Sequence, residues 1–180
     1  MSDLTAVPLR TARIDLVPLR IDHAPEMATV LADPALHTFI GGAPDSEPGL
    51  RGRYARMLAG SPDPGVSWCN WVLRPRAAGS LAGTVQATVT DTDAGSDAVP
   101  AGRVAEIAWV VGTAWQGRGF ASEAASALVG WLRSHEVRTV LARIHPDHHA
   151  SAAVARAVGL TPTDLRQDGE VRWELRLADA

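Results

Sequence analysis

The chain has 180 residues, enough for one compact domain with a substantial core, and its formal charge of −3 gives no electrostatic footprint for nucleic acid. Its 17 basic residues are all arginine, which excludes a lysine Schiff base, a lysine general base and a phosphate-loop lysine. The single cysteine, Cys69, excludes an internal disulfide and a thiolate metal cluster.

No apolar run has the length of a signal peptide or a bilayer span, so a cytoplasmic protein without a membrane partner is expected. ARIDLVPL (12–19) alternates apolar and polar residues as a half-buried strand does. Asp22 is placed to cap a helix running to about Leu31, with Met27, Val30 and Leu31 on one face, and ADP (32–34) ends it. After the loop GGAPDSEPG (41–49), a second helix is expected through Leu58, where GSPDPG breaks it. Strands follow at about 67–74 and 81–90, joined as a hairpin through RAAGS. In SWCNW (67–71), Trp68 and Trp71 have opposite parity, so one indole belongs to the core and the other to a cleft. DTDAGSDAVPAG (91–102) reads as a polar, flexible loop.

RVAEIAWVV (103–111) is the clearest strand, with Ile107, Trp109 and Val111 on one face and Glu106, Ala108 and Val110 on the other. A helix to about His135 follows, its core face marked by Phe120, Ala124, Leu128 and Trp131. RTVLARI (138–144) is a strand, ASAAVARAVG a short helix ended by Gly159, and VRWELRL (171–177) a closing strand. Antiparallel strands followed by a strand–helix–strand unit predict one parallel pair in a mixed sheet. No repeat or linker divides the chain, so residues 1–180 are expected to form a single domain.

Between that strand and its helix lies WQGRGFASEA (115–124). A helix N-terminus offers unpaired N–H groups and the positive end of the helix dipole, both of which favour an anion. Gly117 and Gly119 let the backbone adopt unusual angles and approach a ligand, and Arg118 adds a permanent charge. These residues alone are compatible with a phosphate site or with a plain turn. The dinucleotide fingerprint does not fit, because Ser122 stands where its third glycine belongs.

With its flanks, AEIAWVVGTAWQGRGFASEA resembles the central signature of the GNAT acetyltransferase superfamily, whose pattern Gln/Arg-x-x-Gly-x-Gly/Ala is met by Gln116, Gly119 and Ala121. LRTARIDLVPLRIDHAPEMATVLADPALHTFIGG is similar to the opening of the branch containing ribosomal-protein N-terminal acetyltransferases, and HPDHHASAAVARAVGL to its later cofactor-side motif. The resemblance implies an α/β (α+β) fold: a mixed, mostly antiparallel sheet of six or seven strands, about four helices, and central parallel strands that splay apart. It implies acetyl-CoA as co-substrate and no metal. The pyrophosphate would lie on the amides of Gly117, Arg118, Gly119, Phe120 and Ala121, beside Gln116. The pantetheine arm would follow the strand at Val110 and Val111, with a backbone N–H near Val110 stabilising the oxyanion.

Within that resemblance, Glu106 is the candidate base for the amine proton, directly or through water, or else a strand carboxylate that orients substrate. Relatives with a tyrosine acid carry it where this chain has Ala155, so Ser151 is the candidate near the CoA sulfur; its other reading is an N-cap of the following helix. His148 stands where the branch has asparagine and is carried as a cofactor contact. His145, Asp147, His148 and His149 lack the spacing of a catalytic zinc site. The acceptor would be an amine framed by residues 33–60, 91–103 and 165–170. Three functions stay open: N-acetylation of a protein N-terminus or small amine, modification of an antibiotic or metabolite, and a non-catalytic acyl-CoA-binding module. A homodimer is also left open.

Overall fold

The computed structural model describes residues 4–92 and 102–177. Most of the predicted polar loop lies outside these residues. The strands are β1 (Leu9–Arg10), β2 (Ile14–Pro18), β3 (Val66–Pro75), β4 (Gly83–Thr92), β5 (Gly102–Val111), β6 (Val137–Ile144), β7 (Thr161–Gln167) and β8 (Glu170–Arg176). They form one sheet in the order β1-β2-β3-β4-β5-β6-β8-β7. The β5–β6 pair is parallel and every other neighbouring pair is antiparallel. The helices are α1 (Ala24–Val30), α2 (His37–Ile40), α3 (Glu47–Leu58), α4 (Phe120–Ser134) and α5 (His149–Ala157).

Alternation along β3, β4 and β5 divides the apolar residues between two cores. On one face Trp71, Leu73, Val85, Ala87 and Ile107 are buried against Ala124, Leu128 and Leu132 of α4. On the other, Val72 packs with Met27 of α1 and with Leu50 and Tyr54 of α3. The two indoles of SWCNW separate as parity requires: Trp71 is fully buried and Trp68 is exposed.

Eight strands exceed the six or seven expected. The two-residue β1 is too short to show a period, and β7 is polar and exposed along nearly its whole length, so no apolar alternation marks it. Two caps also differ from expectation. A 3-10 turn at Ile21–His23 precedes α1, and the Asp22 carboxylate is held instead by the Arg20 guanidinium at 2.6 Å. Helix α5 starts before Ser151, with His148 as its N-cap.

The parallel pair is short. Its register runs from Arg103↔Val137 to Glu106↔Leu141 and stops, although β5 continues to Val111 and β6 to Ile144. The strands therefore part beyond Glu106 and leave a gap between their C-terminal ends. The Gly112 N–H donates to the Ala82 carbonyl at 2.8 Å. By the alternation of an antiparallel ladder, even-numbered residues of β5 thus spend their backbone groups on β4, while those of Trp109 and Val111 face the gap.

Gly83 lets β4 approach β5 here, since a Cβ on it would overlap the Val110 carbonyl oxygen and stand 2.9 Å from the Val111 Cα. Gly83→Ala is expected to cost about 2 kcal/mol through overpacking, or about 4–8 °C in Tm. An unchanged Tm in thermal unfolding would show that the ladder absorbs the methyl group.

Candidate active site

A cavity of 710 Å³ occupies the gap between β5 and β6. Val110, Val111, Gln116, Gly117, Phe120, Ala121, His148 and Ser151 all line it. Arg118 and Gly119 complete the turn between Gly117 and Phe120. Gly117 and Gly119 have φ of +73° and +79°, the left-handed region in which side chains are strained. A Cβ on Gly117 would enter open space. From Gly117 to Ser122 no backbone N–H has a hydrogen-bond partner among the described residues. These donors sit at the positive end of the 15-residue helix α4. Gln116 ties the turn to the strand, its side-chain amide donating to the Val111 carbonyl at 3.1 Å. Arg118 lies over the Trp115 ring at 5.1 Å and donates to the Ala114 carbonyl at 3.2 Å.

The turn is braced from the start of the chain. Arg13 donates from Nε to Glu123 Oε2 and from its backbone N–H to Glu123 Oε1, at 2.7 and 2.8 Å. Its Nη1 donates to the Arg118 carbonyl at 2.9 Å, and its guanidinium lies over the Phe120 ring at 4.9 Å. Thr11 adds a 2.5 Å hydrogen bond to Glu123. Burial pushes the Glu123 carboxyl up, but these donors outweigh it and hold the pKa below the usual glutamate value.

Glu106 does not line the cavity. It lies on the same strand face as Ala108, and its carboxylate pairs at 3.2 Å with Arg143, which does line it. His148 Nδ1 accepts the Ser151 N–H at 3.5 Å, so the histidine is the cap and the serine hydroxyl is left to the cavity. The His148 ring stacks on Phe39 of α2 at 4.5 Å, which carries α2 over the start of α5.

Burial, with the charges of His145 and His149, holds the His148 pKa below the ordinary histidine value. Burial does the same to His23, whose Nδ1 accepts the Arg20 N–H at 3.1 Å. A lowered histidine pKa means that the unfolded chain binds the proton more readily. The stability these groups contribute is full above about pH 6.5 and is lost as pH falls through that value towards the folded pKa. Tm should therefore drop as pH falls below about 6.5, and His148→Asn, which keeps an acceptor that does not titrate, should flatten part of the drop. Parallel pH curves for variant and wild type would remove His148 from the effect.

A family model described as an acetyltransferase (GNAT) domain matches residues 13–161. The chain belongs to the GNAT acetyltransferase family. An acetyltransferase from Agrobacterium tumefaciens has a similar structure, with a TM-score of 0.70 at 26% identity, over 97% of this chain and 96% of that one. RimL, a ribosomal-protein α-N-acetyltransferase solved with coenzyme A, is similar at TM-score 0.76 and 16% identity, over 97% and 100%. The microcin self-immunity acetyltransferase MccE, solved with acetyl-CoA and AMP, is similar at 0.69 and 14%, over 92% and 93%. No curated protein sequence matches the chain.

As a GNAT enzyme the chain is an acyl-CoA-dependent acetyltransferase that uses acetyl-CoA. The turn fits that co-substrate: N–H groups without a partner among the described residues and a helix dipole meet where glycine leaves room for a pyrophosphate. Among the described residues no group of three or more His, Cys, Asp or Glu is placed to hold a metal ion, and no helix is long and apolar enough to cross a membrane. A second cavity, of 240 Å³, shares Leu36, Ile40, Ala108, Trp109 and Val110 with the first. Sequence reasoning missed Arg13, Glu123, Phe39 and Arg143. Glu123 carried a weak signal as an acidic residue in a helix's first turn, but nothing local pairs it with a residue 110 positions earlier.

Proposed function

We propose that the chain transfers the acetyl group of acetyl-CoA directly to a primary amine, on a protein N-terminus or a small molecule, with both substrates bound together. The observation that carries this reading is the meeting of two cavities along Ala108–Val110, with Glu106 two residues away on the same strand face. Cys69, the residue best suited to a covalent acetyl intermediate, is buried and donates to the Leu4 carbonyl.

When bound, acetyl-CoA supplies an acetyl group activated as a thioester. The N–H groups from Gly117 to Ala121 and the Arg118 charge hold the pyrophosphate, and Val110 and Val111 flank the pantetheine arm. The N–H groups of Trp109 and Val111 face the gap, so they, rather than that of Val110, stabilise negative charge on the acetyl oxygen. Glu106 takes the amine proton, directly or through one water, and Arg143, 3.2 Å from its carboxylate, helps to aim it. Ser151 donates its hydroxyl proton towards the departing sulfur, while His148 fixes the serine's backbone and contacts the cofactor. A thiol pKa of about 8.5 makes that departure easy, so the donor need only be weak.

The test is release of CoA thiol, with the product mass, over peptides with free N-terminal Ala, Ser or Thr, over aminoglycosides and over polyamines. A mass gain of one acetyl group on a free amine, lost when that amine is blocked, supports the reading. Hydrolysis without transfer, or no thiol release with any amine, overturns it. Antibiotic or metabolite modification would use the same donor machinery and differ only in the second cavity.

A further inference from the structure

The two cavities share a wall. The 3-10 turn Pro34–Leu36 and the four-residue helix α2 bring Ala35, Leu36, Phe39 and Ile40 to the donor cavity, and Leu36, His37 and Ile40 to the second one. Leu36 and Ile40, one helical turn apart, therefore stand between them. No residue from Pro34 to Ile40 is buried, and Ile40 is 56% exposed. Ahead of the segment, the Asp33 carboxylate accepts the Thr113 hydroxyl at 2.7 Å and the Ala35 N–H at 2.9 Å. Behind it, Gly41 and Gly42 have φ of +76° and +74°, and a Cβ on Gly41 would enter open space. The segment thus ends in a glycine pair free to act as a hinge.

Beyond Asp33, residues 34–42 make no hydrogen bond to the rest of the protein among the described residues. What holds them is the Phe39 ring, which is stacked on His148 at 4.5 Å and tilted against His145 at 5.2 Å. An aromatic pair of this kind is worth a factor of about 2–12 in an opening equilibrium. A segment with no buried side chain and one such anchor opens more easily than the sheet beneath it. His148 is the fixed partner, because its Nδ1 caps α5. Both rings line the donor cavity, so a molecule that fills it packs against the two at once.

We propose that Phe39 is a positioning residue that couples the two cavities. Acetyl-CoA packed against the Phe39–His148 stack keeps it closed, and the closed stack fixes Leu36 and Ile40 as the wall of the second cavity. By linkage, an acceptor seated against Leu36 and Ile40 tightens the hold on acetyl-CoA by the same factor. The device belongs to this chain's own residues, since His148 stands where the resembling branch has asparagine, which offers no ring to stack on. The inference rests on the reading that both substrates are bound together.

Amide hydrogen exchange across residues 35–41 tests this with acetyl-CoA alone. Saturating acetyl-CoA should slow exchange there about fivefold in wild type and less than about twofold in Phe39→Leu, with the amides from Gly117 to Ser122 protected in both. Phe39→Tyr keeps a ring and should restore the effect. A merely structural Phe39 would change exchange by the same factor with and without acetyl-CoA. In the thiol-release assay, Phe39→Leu should raise KM for the amine about fivefold with kcat within about twofold, and Phe39→Tyr should return it. Exchange in the segment that ignores acetyl-CoA in wild type, equal slowing in wild type and Phe39→Leu, or an unchanged KM for the amine overturns the inference and leaves the amine reading standing. Slowing that depends on Phe39, without transfer to any amine, supports the coupling and overturns the amine reading instead.

Discussion

Replacing Gly119 with glutamate is expected to abolish measurable acetyl-CoA binding while leaving the chain folded. The new carboxylate would stand at the mouth of the unpaired N–H groups that run from Gly117 to Ser122. Repulsion between that charge and a pyrophosphate about 4 Å away corresponds to a loss of affinity on the order of a hundredfold or more. A second effect acts in the same direction. A Cβ at this position stands 3.3 Å from Arg13 Nη2, so the carboxylate competes with Glu123 for the guanidinium and slackens the brace. Backbone strain at φ +79° adds to both, and Gly119→Ala measures it separately, with only a small loss of binding expected. Calorimetric titration of acetyl-CoA into wild type and both variants is the check, with circular dichroism confirming the fold. Undiminished binding by the glutamate variant would mean that the pyrophosphate lies elsewhere.

Glu106→Gln is expected to lower kcat by about 10²–10⁴-fold with little change in the acetyl-CoA dissociation constant. The amide keeps the carboxylate's shape beside Arg143, 3.2 Å away, but it carries no charge and cannot take a proton. Stability should hardly respond, because the ion pair is half in solvent, where such pairs contribute little. The pH dependence of kcat/KM separates the roles left open for this residue. If Glu106 is the base, the limb set by its protonation disappears in the variant. If it only orients the acceptor, KM for the amine rises while the profile keeps its shape.

The parts of this fold that could be read beforehand are those with a strong local period. The alternation of RVAEIAWVV placed Ile107 and Glu106 on the faces they occupy, and the glycines of WQGRGFASEA lie at the left-handed positions that begin α4. The pattern fails where the deciding partner is remote. Nothing in β5 or β6 taken alone says that their pairing ends at Glu106↔Leu141, yet that ending makes the donor cavity. HHAS reads locally as a serine cap. The histidine occupies that position instead because Phe39, over a hundred residues earlier, holds its ring with Nδ1 towards the Ser151 N–H. The acceptor is expected among residues 33–60, 91–103 and 165–170; the second cavity is lined in part by the first of these, but also by Asn70 and Gln86, which only the pairing of β3 with β4 brings together.

The Arg13 brace makes the cofactor turn dependent on the order in which the chain assembles. The glycines and α4 are local and can take shape early, but the contact from Arg13 to Glu123 closes a loop of about a hundred residues, which is entropically slow to form. The turn therefore reaches its final shape only after β2 has joined the far side of the sheet. Conversely, a ligand that tightens the turn will slow amide hydrogen exchange at Arg13 and Ile14, three strands away from the chemistry. The first hairpin of the chain is thus a mechanical part of the donor site, and fraying it would empty that site with every glycine still in place.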